Sequence, residues 1–316
     1  MQTKKIKTDG LIIKQQNIGE QDRLVSILTR NLGVIRAFVR GGKNIKSRNS
    51  ASTGLLCYSE LTLYKGKQDY YNVENAQLIN MFSDLKTDLT KLSLAEYFCE
   101  IAAVVAPWEQ EAEEHLRLIL NALYLLSKGD MSELLIKSAV EMRLASISGY
   151  MPDLLMCPKC GEYEKDEMYF LLSGQLLCKD CFEKSPVPQS VRISSGLTMA
   201  LRHLVFAEDK KLFSFSLSDE SLKKLSSITE EYLSRKVDRN FSTLQFYKTI
   251  SSLFSHSTDG AGTEHKPFAE QFFHVFVGHG LVFAGKVQVN IRHLIALEPK
   301  EHFKGNIKAV LHQGIS

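Results

Sequence analysis

Cys157-Pro158-Lys159-Cys160 and Cys178-Lys179-Asp180-Cys181 are the residues of this sequence whose type and spacing are best suited to chemistry. Seventeen residues separate the two Cys-x-x-Cys pairs, the arrangement one tetrahedral ion requires. Each pair turns two sulfurs to one side, and the connection is long enough for a small hairpin. It reads as one: Met168–Leu172, a turn at Ser173-Gly174, then Gln175–Leu177. Gly161 follows the first pair, where backbone passes close to sulfur. Four thiolates fill the coordination of zinc and leave no position for water or substrate, so the expected cofactor is structural Zn2+. A four-thiolate iron site has the same ligands, and spacing does not separate the two metals. Two disulfides or an unmetallated motif are the competing readings.

Nothing else in the chain has the makings of catalysis. There is no His-Glu pair, phosphate-binding glycine loop, nucleophile elbow or paired-carboxylate motif, and His115 and His203 stand alone in helical stretches. The expectation is a protein that is not an enzyme. Cys57 and Cys99 lie in apolar surroundings and read as small buried hydrophobes, consistent with a reducing, cytoplasmic setting.

Charge gives the second functional signal. Residues 1–80 hold thirteen Lys/Arg against six Asp/Glu, a net of +7, whereas residues 81–150 hold six against eleven, a net of −5. An excess of that size at one end suits a polyanion. It concentrates in Arg36-Ala37-Phe38-Val39-Arg40-Gly41-Gly42-Lys43-Asn44-Ile45-Lys46-Ser47-Arg48, where Arg36, Phe38 and Arg40 alternate onto one strand face. Lys65 and Lys67 follow on a later hairpin beside Tyr64, Tyr70 and Tyr71. Cations for phosphates and rings for bases are the ingredients of a single-strand groove, although strand tyrosines more often pack a core. The candidate DNA-binding residues are Arg23, Arg36, Arg40, Lys43, Lys46, Arg48, Lys65 and Lys67.

The elements that must position these residues follow from periodicity. A period of two predicts strands near Lys7–Gln15, Arg23–Thr29, Val34–Val39, Leu55–Tyr64 and Tyr70–Leu78. Five short strands in some seventy residues fit a small closed barrel of the OB type. Helical spacing predicts Ser93–Val105, Glu111–Ser127, Ser132–Ser148, Ser194–Phe206 and Ser218–Val237. The acidic run Glu109–Glu114 reads as a solvated helix start. The fold class is α+β: an OB-fold barrel over residues 1–80, then a helical domain over 81–252 with a four-cysteine module inserted at 157–181. The basic start, Met1–Lys7, runs into a strand pattern rather than an apolar signal core, and no stretch approaches eighteen apolar residues.

Several linked motifs stand in one order: Asp9-Gly10-Leu11-Ile12-Ile13, Ile18-Gly19-Glu20-Gln21-Asp22-Arg23-Leu24-Val25, Thr29-Arg30-Asn31-Leu32-Gly33-Val34-Ile35, Val39-Arg40-Gly41-Gly42-Lys43 and Glu60-Leu61-Thr62-Leu63-Tyr64-Lys65-Gly66. Glu141-Met142-Arg143-Leu144-Ala145, Gly149-Tyr150-Met151-Pro152-Asp153-Leu154, the four cysteines and Arg239–Tyr247 continue it. Over about residues 1–252 the chain resembles the RecO family of bacterial recombination mediators. The resemblance implies binding of single- and double-stranded DNA, annealing of complementary strands, and action with RecR and single-strand-binding protein to load RecA. It also implies a cytoplasmic, nucleoid-associated protein with no membrane partner. The alternatives are a metal-dependent nucleic-acid-processing enzyme, which needs an open metal site, and an RNA-binding zinc-ribbon protein.

Residues 253–316 change character: seven of the nine histidines lie there and none of the tyrosines, methionines or cysteines. The resemblance stops before them. They are expected to form an extension foreign to the family and poorly ordered, with one hairpin near 272–285.

Overall fold

The computed structural model describes residues 4–44, 46–66 and 70–256; Lys67 and the hairpin expected at 272–285 lie outside the described residues. Alternation of apolar and polar side chains builds the first part. Strands β1 (Lys5–Ile18), β2 (Asp22–Thr29), β3 (Gly33–Val39), β4 (Tyr58–Lys65) and β5 (Tyr71–Asn80) close into a barrel of order β1-β2-β3-β5-β4. All neighbours are antiparallel except β3 and β5, which run parallel and meet only at Ala37 and Phe38 against Tyr71 and Asn72. This is the OB arrangement. Ile12, Val25, Ile27, Ile35, Ala37, Val39, Leu61, Leu63 and Val73 fill the interior. Period two therefore turns Arg36 and Arg40 outward, and both are exposed. β4 begins at Tyr58 rather than Leu55, because Ala51–Thr53 form a single 3₁₀ turn and Leu56 takes a left-handed φ of 61°.

The helical part starts with α1 (Leu89–Val105), capped by Asp88, whose carboxylate accepts from the backbone of Thr90 and Lys91. It continues with α2 (Glu113–Lys128) and α3 (Glu133–Ala145), which ends in one π turn over Ser146–Tyr150. A three-stranded sheet follows, with β6 (Glu167–Leu171) between β7 (Gln175–Cys178) and β8 (Ser190–Ser194). The short α4 (Lys179–Lys184) lies between β7 and β8, and α5 (Ser195–Phe206) follows β8. The sequence signalled the β6–β7 hairpin but not β8, which is only five residues long and is half-polar. The chain then forms α6 (Asp219–Val237), capped by Ser218, and α7 (Ser242–His256), which continues four residues beyond Ser252. Thr243 at the start of α7 donates its backbone N–H and hydroxyl to Glu100 of α1, at 3.2 and 2.5 Å.

α3 is buried around nearly its whole circumference, so its two buried charged residues, Lys137 and Glu141, had to find partners inside. Lys137 Nζ lies 2.9 Å from Glu141 and 3.0 Å from Glu230 of α6, and donates to Ser226 Oγ at 3.0 Å. Glu141 in turn accepts from Tyr97 of α1 at 2.7 Å and Thr229 of α6 at 2.6 Å. Three helices thus share one polar knot.

The barrel meets the helices through the connection between α1 and α2. Val34 N–H donates to Pro107 O at 2.8 Å and Ala112 N–H to Arg30 O at 2.9 Å. Gly33 has φ +60°, and a Cβ there would stand 2.0 Å from Pro107 O, so no other residue fits. Arg30 binds Asp9 in a fork at 2.8 and 2.9 Å and reaches Glu113 of α2.

Two outcomes test this account. Lys137→Met leaves Glu141 without its cation and should cost about 3–5 kcal/mol in urea unfolding, with much of it regained by adding Glu141→Leu. A cost below about 1 kcal/mol would remove the knot from the stability argument. Second, burial lifts the Glu96 carboxyl to about 7, and its Oε1 has no hydrogen-bond partner. A raised folded-state value means the neutral form fits the fold; that stability is complete below 4.5 and lost as pH rises through about 7. Glu96→Gln should therefore raise Tm at pH 8 and leave it nearly unchanged at pH 4.5; equal shifts at both would contradict it.

Candidate metal centre and nucleic-acid face

Cys157 and Cys160 lie on the loop before β6, Cys178 ends β7 and Cys181 sits in the first turn of α4. The hairpin thereby folds the second pair back onto the first. All four Sγ atoms are within 4.8 Å of one another, and Cys160 Sγ is 3.5 Å from Cys178 Sγ. Metal–sulfur bonds of about 2.3 Å in a tetrahedron demand sulfur separations of about 3.8 Å, so the cluster has the size of one ion. The first knuckle closes through Gly161 N–H to Cys157 O and Cys157 N–H to Glu162 O, both 2.8 Å, with Gly161 at φ +75°.

The electrostatics fit a cation. Burial works against a Cys157 thiolate, but the backbone N–H groups of Cys178, Lys159 and Cys160 outweigh it and bring the group to about 6. Hydrogen bonds to Cys160 and Cys178 push Cys181 up to about 12. Four crowded sulfurs compete for protons, and a dication would replace them all. The donor set suits a soft or borderline ion, with no open coordination position.

Two devices hold the module in place. The buried guanidinium of Arg202 on α5 donates to the carbonyls of Leu154 at 2.8 Å, Leu155 at 2.9 Å and Tyr163 at 2.5 Å, and lies 3.9 Å from the Tyr163 ring centroid. It therefore grips the loop on both sides of the first knuckle. Tyr169 of β6 stacks on Phe182 of α4 at 3.8 Å, fixing the helix that carries Cys181.

On the barrel, the loop between β3 and β4 is braced rather than loose. Asp22 accepts from Gly41 N–H at 2.8 Å, Lys43 N–H donates to Gln21 O at 3.0 Å, and Ser50 donates to Gly42 O at 2.9 Å. Arg40, Lys43, Lys46 and Arg48 are exposed on this frame. Arg23 takes a different place: half-buried, it donates to Ser50 O at 3.3 Å and Thr53 O at 3.4 Å, and burial lowers its pKa. Its contacts hold the loop from beneath. Arg36 on β3 faces the Trp108 ring at 5.4 Å, and Phe38 lies 5.1 Å from Tyr70. Lys65 is paired with Glu109 at 3.1 Å, and Glu109 also accepts from Tyr71 at 3.1 Å.

Glu109 and Glu113 are therefore not simply solvated: both hold barrel cations. Sequence reasoning missed this because the partners are 44 and 83 residues away. The available signal was Pro107, which ends helix propagation and leaves Trp108 and Glu109 in a connection rather than on a helical face.

A closed OB barrel with a basic outer face, joined to helices that hold a four-cysteine module, defines a small class of two-part proteins. Comparison with known sequences resolves which. A family model described as the N-terminal part of recombination protein O matches residues 1–82, and its C-terminal counterpart matches residues 86–245. The DNA repair protein RecO of Acetivibrio thermocellus is 39% identical over 249 residues, covering 78% of this chain and 98% of that protein. Those of Caldicellulosiruptor bescii and Alkaliphilus metalliredigens are each 27% identical over 248 residues, covering 78% of this chain and 99% of each relative. The chain belongs to the RecO family, whose role is in DNA repair and recombination. No helix among the described residues is long and apolar enough to cross a membrane.

The cluster should bind one metal ion per chain, measured by elemental analysis of the purified protein. Cys157→Ser or Cys178→Ser should lose the ion and lower Tm by several degrees. Identical melting of wild type before and after exhaustive chelation would show that the site contributes nothing to the fold.

Proposed function

We propose that the protein is a recombination mediator. It holds single- and double-stranded DNA on its barrel, anneals complementary strands, and acts with RecR and single-strand-binding protein to load RecA. The observation that carries this reading is the exposed basic run Arg36, Arg40, Lys43, Lys46 and Arg48 along β3 and its braced loop, on the strand face that OB folds use for oligonucleotides. The DNA-facing set is these five residues with Lys65 and Lys67, and Arg23 braces their loop from beneath. Residues 1–80 form the nucleic-acid-binding domain and 81–252 the helical domain, with Zn2+ bound by Cys157, Cys160, Cys178 and Cys181 as a structural ion. The protein works in the cytoplasm at the nucleoid.

The mechanism needs no bond-making by the protein. Two strands approach against their own charge; Lys and Arg on one rigid surface replace condensed counterions and raise the local concentration of both backbones. Base pairing then supplies the sequence readout, which suits a surface of point charges and rings with no base-reading helix. The module at 157–181 stands outside this step.

Annealing of complementary oligonucleotides by the full chain at rising salt tests the reading. Arg40→Ala/Lys43→Ala/Lys46→Ala should anneal at least about tenfold more slowly at low salt, with a shallower dependence of log affinity on log salt, by about 0.7 per lost contact to a single strand. A triple variant that anneals as fast as wild type sinks the assignment.

A further inference from the structure

Trp108 is the one tryptophan in the sequence, and the reading as a strand-binding barrel leaves it unused. It belongs to the connection between α1 and α2, not to the barrel, yet its backbone bridges to Gly33 and Val34 at the start of β3. The neighbouring Val34 N–H to Pro107 O bond of 2.8 Å and the absence of room at Gly33 fix that backbone against the strand. The mount is rigid, but the side chain stays in water: Trp108 is 49% exposed. A tryptophan used for packing sinks its ring, as Tyr97 at 0% and Phe98 at 0% do on α1.

What surrounds the ring points to a ligand with bases and phosphates. Arg36 stands 5.4 Å from the ring centroid and is itself exposed. Two residues along β3, on the same outward face, Phe38 lies 5.1 Å from Tyr70, the residue just before β5. Trp108, Arg36, Phe38 and Tyr70 thus make a row along the outer face of β3 in which rings flank a cation. The adjacent carboxylate, Glu109, is turned to other partners: Lys65 at 3.1 Å offsets its charge and the Tyr71 hydroxyl donates to it at 3.1 Å.

We infer that Trp108, supplied by the helical part, completes the single-strand face of the barrel by stacking on a base while Arg36 beside it meets the backbone. The inference rests on the barrel being the strand-binding element. Stacking is indifferent to base identity, since every base has a π face, so the contribution is to strand affinity and not to sequence choice. It also favours unpaired bases over duplex, in which base faces are already covered.

Having one tryptophan makes the test direct. The full chain is titrated with a labelled oligothymidylate at low salt, following label anisotropy and Trp108 emission together. The expected result is quenching that saturates with the anisotropy. By anisotropy, Trp108→Ala should bind the single strand about five- to a hundredfold more weakly, and Trp108→Phe within a few-fold of wild type. Both variants should keep the wild-type salt slope and Tm, whereas Arg36→Ala should flatten the slope. Saturating anisotropy with unchanged Trp108 emission overturns the inference while leaving the strand-binding reading intact. So does Trp108→Ala binding as tightly as wild type, or weak binding by both Trp108→Ala and Trp108→Phe with a lowered Tm, which would make the ring structural. A wild-type chain that binds no strand removes the strand-binding reading and the inference with it.

Discussion

Arg30 is the point through which the two halves of this protein are set against one another. Its guanidinium accepts no substitute: the fork closes on both oxygens of Asp9, whose second oxygen also takes the Tyr58 hydroxyl of β4, and the remaining nitrogen reaches Glu113 at the head of α2. The hydrogen bonds from Arg30 hold the Asp9 carboxyl below its ordinary 3.8, against the opposing effect of burial. One side chain thereby fixes the start of β1, the end of β2, β4 and the first turn of α2. The backbone bonds from Val34 and Ala112 and the missing side chain of Gly33 then set the path of residues 106–112. The surroundings of Arg36 and Lys65 depend on that path.

Much of this was legible in the chain. The barrel was, because five strands bury one face each and a period of two leaves little freedom in register; the outward direction of Arg36 and Arg40 came with it. The four-cysteine cluster was, because two Cys-x-x-Cys knuckles and a hairpin turn are local signals. The failures share a cause. Glu109 and Glu113 were read as solvent-facing because nothing in the neighbourhood of 109–114 shows that Lys65 and Arg30 will stand opposite. Nor does the neighbourhood of Arg23, a candidate DNA contact, show that its guanidinium will reach the carbonyls of Ser50 and Thr53, 27 and 30 residues on. The third strand of the small sheet escaped because β8 pairs with β6 from beyond the second cysteine pair and has little pattern of its own. Local chemistry is written locally; partnerships between distant charges are not.

The two halves also differ in their solvation. The helical half is held by groups largely removed from water: the Lys137–Glu141–Glu230 knot and the Arg202 grip on three carbonyls. Such arrangements are stiff, since each buried group loses heavily if its partner leaves. The barrel face instead keeps its cations in water, where they exchange counterions at little cost.

The seam at the start of β3 has a consequence in time as well as in space. The barrel strands end at Asn80, so every strand of the barrel leaves the ribosome before α1 does. The amide of Val34 and the carbonyl of Arg30 have their partners at Pro107 and Ala112, and the Arg30 side chain finds Glu113 83 residues further on. Until that connection is synthesised, the upper edge of β3 faces solvent as an open strand edge, the kind that recruits stray chains. Vectorial synthesis thus makes the connection carrying Trp108 the last piece to seal the barrel, and the nascent protein is most exposed to mispairing in the interval between residues 80 and 107.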